Sequence, residues 1–555
     1  MKVYEMISEW IVKVGVKHVF TVAAENIMPL LRSLISQGIN VINAKFEPSV
    51  GFMGIVYSRL TLRPGVVLVT AGPGALGVVS PIAEAFIEGD PLVVIATVAV
   101  GGRGTQMHQL PSDYTQISVF KPITKAVFRV NEPSDVGNTL SRAFSVALSN
   151  KPGPVYVELP LNVLNGDIPV VSYPKYVIER PQVSDDTINA VMDLLADAEY
   201  PVIIVGRGVY VSGAVDLVIE LAELLNAPVT TTIMAKGLVP FNHSLYAGVA
   251  AGKAGNTVAY EVIKKADVVL AIGNRFSEIG TGRYSLEIRG KLIHVNIDDY
   301  DLGRVYEPFI KVRADAKDFL MKLVSRLKGV RLRRRDYVTN ELRELWAVEN
   351  RELENYYNNV NGLIKPWEVI RAARDVFNRG GTIFIGDDDA HRIESFLMSI
   401  YTGEYYITST SYVSMGLAVP GAVATSIIYP DRDVVAFVGD GGFLMTGLEV
   451  STAVQYGAKP KIIVFNDSAY RVLGIYEKVR FGSVTEPLVR IPQVDFASLA
   501  RALGGEGITI TRREDLKPLL MDALNIDKAV VVDVHVDPNA VPIPYQRLYN
   551  LRSIS

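Results

Sequence analysis

Cysteine is missing from this chain altogether. Its absence excludes disulfides, thiolate nucleophiles and zinc sites built on sulfur, and it fits a cytoplasmic setting. No charge of one sign dominates either: 56 Lys and Arg stand against 59 Asp and Glu, a net of −3. That balance leaves no electrostatic footprint for nucleic acid. The densest basic spot, Arg331-Leu-Arg-Arg-Arg335, reads as a solvated linker face. Clean membrane-length apolar runs are also lacking. Residues 64–83 and 405–430 carry no charge and are long enough to span a bilayer. Gly72-Pro73-Gly74 breaks the first, and Ser, Thr, Tyr, Gly and Pro crowd the second, so both read as buried strand, tight loop and packed helix. The opening MKVYEMISEWIVKVGV has charges throughout and reads as an amphipathic helix, not a signal peptide. No membrane partner is expected.

What is present is apolar residue in quantity, 49% against 21% charged, spread over 555 residues. Large cores follow, and at roughly 150 residues per domain the length suggests about three or four domains. Short apolar strands alternate with helical patterns from end to end, which predicts an α/β protein with parallel sheets. Residues 1–169 form a first block, with strands at HVFTV (18–22), NVINAKF (40–46), GVVLVT (65–70) and PLVVIAT (91–97). A proline-bearing polar stretch, 170–186, separates it from a central block, 186–330, with strands at 201–206, 228–232, 267–273 and 292–298. A charged, helix-forming connector, 329–361, leads to a third block, 362–545, with strands at 382–387, 405–410, 434–440, 461–467 and 529–536. The expectation is three doubly wound parallel-sheet domains. No internal repeat is visible, although the first and third blocks share a rhythm.

The third block carries the first chemical signal. The apolar run VVAFV ends at Gly439-Asp440-Gly441-Gly442, a helical pattern follows, and the next apolar run ends at Asn466-Asp467. This is one βαβ unit, whose right-handed crossover brings both strand ends to the carboxyl edge of the sheet, where ligands of open α/β sheets sit. Gly439, Gly441 and Gly442 let backbone amides approach a phosphate. Two carboxylates, Asp440 and Asp467, facing an anion call for a hard cation between them, Mg²⁺ or Ca²⁺. Either motif alone is most often a turn or a helix cap; the paired spacing argues otherwise.

The pair resembles the diphosphate-binding motif of thiamine-diphosphate enzymes: Gly-Asp-Gly, some two dozen residues, then Asn-Asn. Here 24 residues separate Gly441 from Asn466, and Asp467 replaces the second Asn. The resemblance implies Asp440, Asp467 and the main-chain carbonyl of Ala469 as Mg²⁺ ligands and thiamine diphosphate as cofactor. It also implies an activating glutamate in the first block. Glu47 fits: it closes a strand, Pro48 follows at a favoured first helical position, and a helix, an arginine (Arg59), a strand and Gly72-Pro73-Gly74 come after. In that family such a glutamate bonds the aminopyrimidine ring and promotes proton loss from the thiazolium. Gly72 and Pro73 correspond to cofactor-contacting positions. Met415 matches the residue that props the cofactor in its bent form, and the carbonyl of Val413 matches the acceptor for the 4′-amino group. In GDDDAHR (386–392), the three acids are atypical against a diphosphate, which leaves His391 as the candidate contact.

The segments GNRFSEIGTG (273–282), HVNIDDYDLGR (294–304), FKPITKAVFRV (120–130) and KPGPVYVELPLNV (151–163) resemble the acetolactate synthase group in particular. That implies decarboxylation of a 2-oxo acid such as pyruvate and ligation to a second one, with active sites shared between subunits of a homodimer or homotetramer. The group's Gln near the reacting carbon has no direct match, and His108 or Gln109 stands in its place. Gly77 replaces an expected Asn, and Tyr476 lies near the place of a missing Trp. VGRGVYVSG (205–213) and GVAAGKAGN (248–256) preserve only part of a flavin-binding stretch, so FAD stays an open expectation. The rival readings are a simple 2-oxo acid decarboxylase, another carbon–carbon lyase on the same cofactor, and a catalytically silent cofactor-binding subunit.

Overall fold

The computed structural model describes residues 1–99, 107–110, 115–168, 171–358, 360–389, 392–401 and 403–551. Eighteen strands among these residues form three six-stranded sheets, every pairing parallel. The first holds β1 (His18–Thr21), β2 (Asn40–Asn43), β3 (Gly65–Val69), β4 (Leu92–Val98), β5 (Ala126–Arg129) and β6 (Val155–Pro160), in the order 2-1-3-4-6-5. The second holds β7 (Pro201–Val205), β8 (Val229–Thr231), β9 (Tyr246–Val249), β10 (Val268–Ile272), β11 (Lys291–Asn296) and β12 (Ile310–Arg313), in the order 12-11-10-7-8-9. The third holds β13 (Ile383–Gly386), β14 (Tyr405–Ile407), β15 (Val434–Gly439), β16 (Lys461–Asn466), β17 (Glu506–Ile510) and β18 (Val530–His535), in the order 14-13-15-16-18-17.

Strands such as β3, β4, β15 and β16 are buried at every residue, as parallel strands covered on both faces by helices must be. The strands read from the sequence leave out β5, β6, β9, β12 and β17, of which β6 is fully buried inside its sheet. Three of these lie at sheet edges with much of their length part-exposed, so their apolar runs are diluted; β9 is a buried edge of only four residues. The expected helical connector is the helix Val338–Tyr357.

The basic spot at 331–335 is exposed at Arg331, Arg333 and Arg334, as read from the sequence, but not at its last residue. Arg335 is buried, and its guanidinium donates to the carbonyls of Leu195 (3.3 Å), Ala198 (2.6 Å) and Leu225 (2.9 Å). It plugs the C-terminal ends of the helices Asp185–Asp197 and Val215–Leu225, where unpaired carbonyls favour a cation.

One contact orders the outer units. The helix Glu47–Thr61 of the first packs along the helix Ala418–Ile428 of the third, and both enter one apolar core with Val50, Met53, Val56, Ala418, Ala422 and Val423. Small residues permit the close approach: a Cβ on Gly421 would lie 2.8 Å from Val56 Cγ2. Among the described residues, no helix is long and apolar enough to cross a membrane.

Candidate active site

β15 and β16 are neighbours, with Gly439 opposite Phe465, so Asp440 and Asp467 follow the ends of adjacent strands. Asp440 begins the helix Asp440–Thr446 and is 2% exposed. Its Oδ1 accepts the Gly441 N–H at 2.7 Å and its Oδ2 accepts the Ala469 N–H at 3.1 Å, which ties the two loops together. The Asp467 side chain is 1% exposed and accepts from Arg471 Nε at 2.6 Å. Between them Ser468 holds φ +57°, an uncommon left-handed conformation outside glycine. All oxygen donors within this turn are hard, and the set suits Mg²⁺. The glycines are sterically required: a Cβ on Gly441 would lie 2.5 Å from the Tyr470 ring, and one on Gly442 would lie 2.5 Å from Asp387 Oδ2.

The acids at 387–389 have distinct surroundings. Asp387 ends β13 in full burial and accepts the N–H groups of Asp388, Gly416 and Leu417, with Gly416 shared by both its oxygens at 2.9 and 3.0 Å. Burial, with repulsion from Asp389, pushes its carboxyl up to about 7. Asp389 accepts the Gly439 N–H at 3.1 Å. Asp387 therefore anchors the loop carrying the sequence-predicted Val413 and Met415, a role the sequence reading did not foresee. His391 lies outside the described residues.

Val413 has φ +52°, an outlier for a β-branched side chain that the surroundings must enforce. Met415 beside it is half-buried. The hydroxyls of Ser411 and Ser414, flanking Val413, are buried without a hydrogen-bond partner among the described residues. Val413 and Ser411 line a cleft of about 1060 Å³ at the junction of the three units, with Asp388, Arg275, Arg304 and Lys151 among its walls.

In the first unit β2 stops at Asn43, and Glu47 is the first residue of its helix, with Pro48 second; the strand is three residues shorter than expected. Glu47 is half-buried and packs on Gly77, where a Cβ would lie 2.7 Å from Glu47 Cβ. Ser49 Oγ nearby is buried without a partner among the described residues. Gly72 has φ +63°, and its N–H donates to Gln116 Oε1 at 2.6 Å. Gln116 also donates to Thr97 O and the Tyr156 hydroxyl, and sequence reasoning overlooked it because nothing in its local pattern sets it apart. Pro73 is exposed and begins a short helix, Pro73–Gly77, whose Gly74 and Ala75 are buried. His108, at φ +64°, presses its carbonyl where a Gly72 Cβ would sit, 2.6 Å away, and Gln109 is half-buried beside it. The structure thus groups Asp440, Asp467 and Ala469 at one place, Val413, Met415 and Asp387 beside the third sheet, and Glu47 with Gly77, and Gly72 with His108, on the first.

Comparison with known proteins agrees across the chain. Residues 1–117 match the N-terminal TPP binding domain of thiamine pyrophosphate enzymes, 188–323 their central domain, and 391–534 their C-terminal TPP binding domain. The chain is 27% identical to a probable acetolactate synthase large subunit of Methanocaldococcus jannaschii, over 99% of this chain and 95% of that one. It is 30% identical to an acetolactate synthase of Mycobacterium leprae, over 89% and 80%. With the acetolactate synthase large subunit of Lactococcus lactis the identity is 26%, over 94% and 92%.

Proposed function

This chain belongs to the acetolactate synthase family of thiamine pyrophosphate enzymes, and from that premise we propose that it decarboxylates a 2-oxo acid such as pyruvate and joins what remains to a second 2-oxo acid, giving acetolactate when both are pyruvate. The observation that carries the reading is the tie between Asp440 and Ala469 at the ends of two adjacent strands, with the Asp467 side chain buried at the end of the second.

The residues fit the cofactor and its metal. Asp440, Asp467 and the Ala469 carbonyl would hold Mg²⁺, and the amides around Gly441 and Gly442 would face the diphosphate. Asp467 brings one more negative charge than an asparagine, and Arg471 offsets it. The unpartnered hydroxyls of Ser411 and Ser414 and the enforced backbone of Val413 mark a place built for a polar ligand. When bound, thiamine diphosphate supplies an electron sink for cleavage of the bond to the carboxylate. The chain supplies the rest. Met415 would prop the cofactor, the Val413 carbonyl would accept from its amino group, and the Glu47 carboxyl would hold and return one proton at its ring. His108 and Gln109, beside Gly72 on the first unit, would meet the reacting acid.

The chain's own surface supports a homodimer, with Glu47 donated by the second copy. Leu444 and Leu448 after Asp440, Leu473 and Phe481 after Asp467, and Phe46 and Leu76 beside Glu47 are 37–67% exposed. Apolar side chains this exposed, gathered on the segments that flank both halves of the site, suit burial against another copy.

For FAD the central unit offers its share of the cleft of about 1060 Å³, lined by Arg275, Tyr284, Asp298 and Arg304. The crevice at the unit's switch point, between β7 and β10, holds only about 110 Å³. Arg207, between Gly206 and Gly208, and Arg275 at its mouth are committed to Glu88 and Asp90 of the first unit. Incubation with pyruvate, thiamine diphosphate and Mg²⁺, followed by product identification, tests the reading. Acetolactate is expected; acetaldehyde alone would replace ligation with simple decarboxylation, and no carbon dioxide would remove the proposal.

A further inference from the structure

Glu84 and Glu88 lie on the helix Val79–Glu88 of the first unit, and both are buried. Two buried carboxylates are costly unless paired and hydrogen-bonded. The pairing is there. Arg59 Nη2 lies 3.5 Å from Glu84, and Arg275 Nη2 lies 3.0 Å from Glu88. Asp90, buried beside them, is held by Arg59 and Arg207. Burial raises the Glu84 carboxyl, whereas at Glu88 Arg275 and Arg59 outweigh burial and hold it low.

What the arginines leave unused is the telling part. Glu88 Oε1 accepts the backbone N–H of Thr410 at 3.0 Å and of Ser411 at 2.7 Å. Glu84 Oε2 accepts the N–H of Ser414 at 3.2 Å, and its Oε1 accepts the Ser409 hydroxyl. Asp387 takes the N–H groups of Gly416 and Leu417 on the far side. Three buried carboxylates, two of them from another unit, therefore grip the backbone on both sides of the strained Val413. An ion-pair cluster serving adhesion alone has no need to spend its lone pairs on one loop.

We propose that Glu84 and Glu88 are positioning residues that fix the 409–414 backbone so that Val413 presents its carbonyl to the aminopyrimidine end of the cofactor. This rests on the thiamine pyrophosphate reading above. Side-chain chemistry makes a sharp distinction at position 84. Glutamine there keeps both contacts, its oxygen taking the Ser414 N–H and its amide donating to the Ser409 hydroxyl; alanine keeps neither.

The test compares full-length wild type with Glu84→Ala and Glu84→Gln by calorimetric titration. One titrant is thiamine pyrophosphate with Mg²⁺; the other is inorganic pyrophosphate with Mg²⁺, which reports only the diphosphate end. Glu84→Ala is expected to weaken thiamine pyrophosphate about tenfold and leave inorganic pyrophosphate unchanged, with Glu84→Gln restoring wild-type affinity. Equal weakening of both ligands, no weakening, or failure of glutamine to rescue would overturn the positioning role. Should the alanine variant not fold, amide exchange in the wild type decides: Thr410, Ser411 and Ser414 must be protected like β15 and β16, and exchange at free-loop rates overturns the proposal. A wild type that binds no thiamine pyrophosphate would bring down the functional reading and the positioning role with it.

Discussion

The first and third sheets share one strand order, 2-1-3-4-6-5, yet they arm it differently. In the third, the first, third and fourth strands each run into a carboxylate: Asp387 after β13, Asp440 after β15, Asp467 after β16. In the first, the matching strands run into Val22, Thr70 and Ala99, and the acid comes instead after the second strand, at Glu47. The second strand of the third sheet leads to Val413 and Met415. On the proposed reading, one scaffold carries an anion-and-metal edge in the third unit and a proton-handling edge in the first. The helices that follow the second strands, Glu47–Thr61 and Ala418–Ile428, pack on each other, so the two versions meet at their corresponding elements. The lesson is that strand order sets where a site forms, and the residue just past each strand sets what the site does.

That contrast breaks most visibly at Asp440. Asp440→Ala is expected to weaken Mg²⁺-dependent cofactor binding by more than about 100-fold, since even outer partners of metal ligands are worth roughly 10- to 100-fold; titration calorimetry measures it. Glu47→Gln should do the reverse. Cofactor affinity and thermal stability stay near wild type while turnover falls about 100- to 10,000-fold, the range for loss of a proton-transferring group. If Glu47→Gln turned over normally, the division of labour between the sheets would be wrong. Gly77→Asn sharpens the first unit's side: its Cβ would press on Glu47 at 2.7 Å, which predicts a stability loss of about 1–3 kcal/mol and slower turnover. The pH dependence of the metal-free protein reports the third unit. Asp387 has its carboxyl raised from 3.8 to about 7, so folding takes up a proton. Its contribution to stability is complete below about pH 4 and is lost as pH rises through 7, and Asp387→Asn should flatten that part of the melting profile. The smallest effect is expected at Asp467→Asn, where an oxygen ligand survives and Arg471 loses its partner: Mg²⁺ affinity changes within about threefold.

Much of this was legible in residue order. Buried parallel strands are continuous apolar runs, and a carboxylate that ends such a run is conspicuous, which is why Asp440 and Asp467 stand out as a pair in residue order. Edge strands β5, β12 and β17 were not legible, because part-exposed positions interrupt their apolar pattern. Asp387 looked like one of three equivalent acids; only the backbone amides of Gly416 and Leu417, some thirty positions later, distinguish it. Glu84 and Glu88 fit the rhythm of an ordinary packed helix, and their partners lie more than 300 residues away. Arg335 read as solvent-facing because its neighbours are basic, whereas the helix ends that claim it are over 100 residues upstream. The strain at Val413 leaves no trace in residue type at all, since valine is among the last side chains expected in a left-handed turn.

The interlocked helices 47–61 and 418–428 have a mechanical corollary. Were Glu47 lent to a neighbouring copy, as proposed above, each chain would serve two reaction chambers through this one coupling, its own Val413 loop in one and its acid in the other. A shift of that coupling would then be felt in both chambers at once.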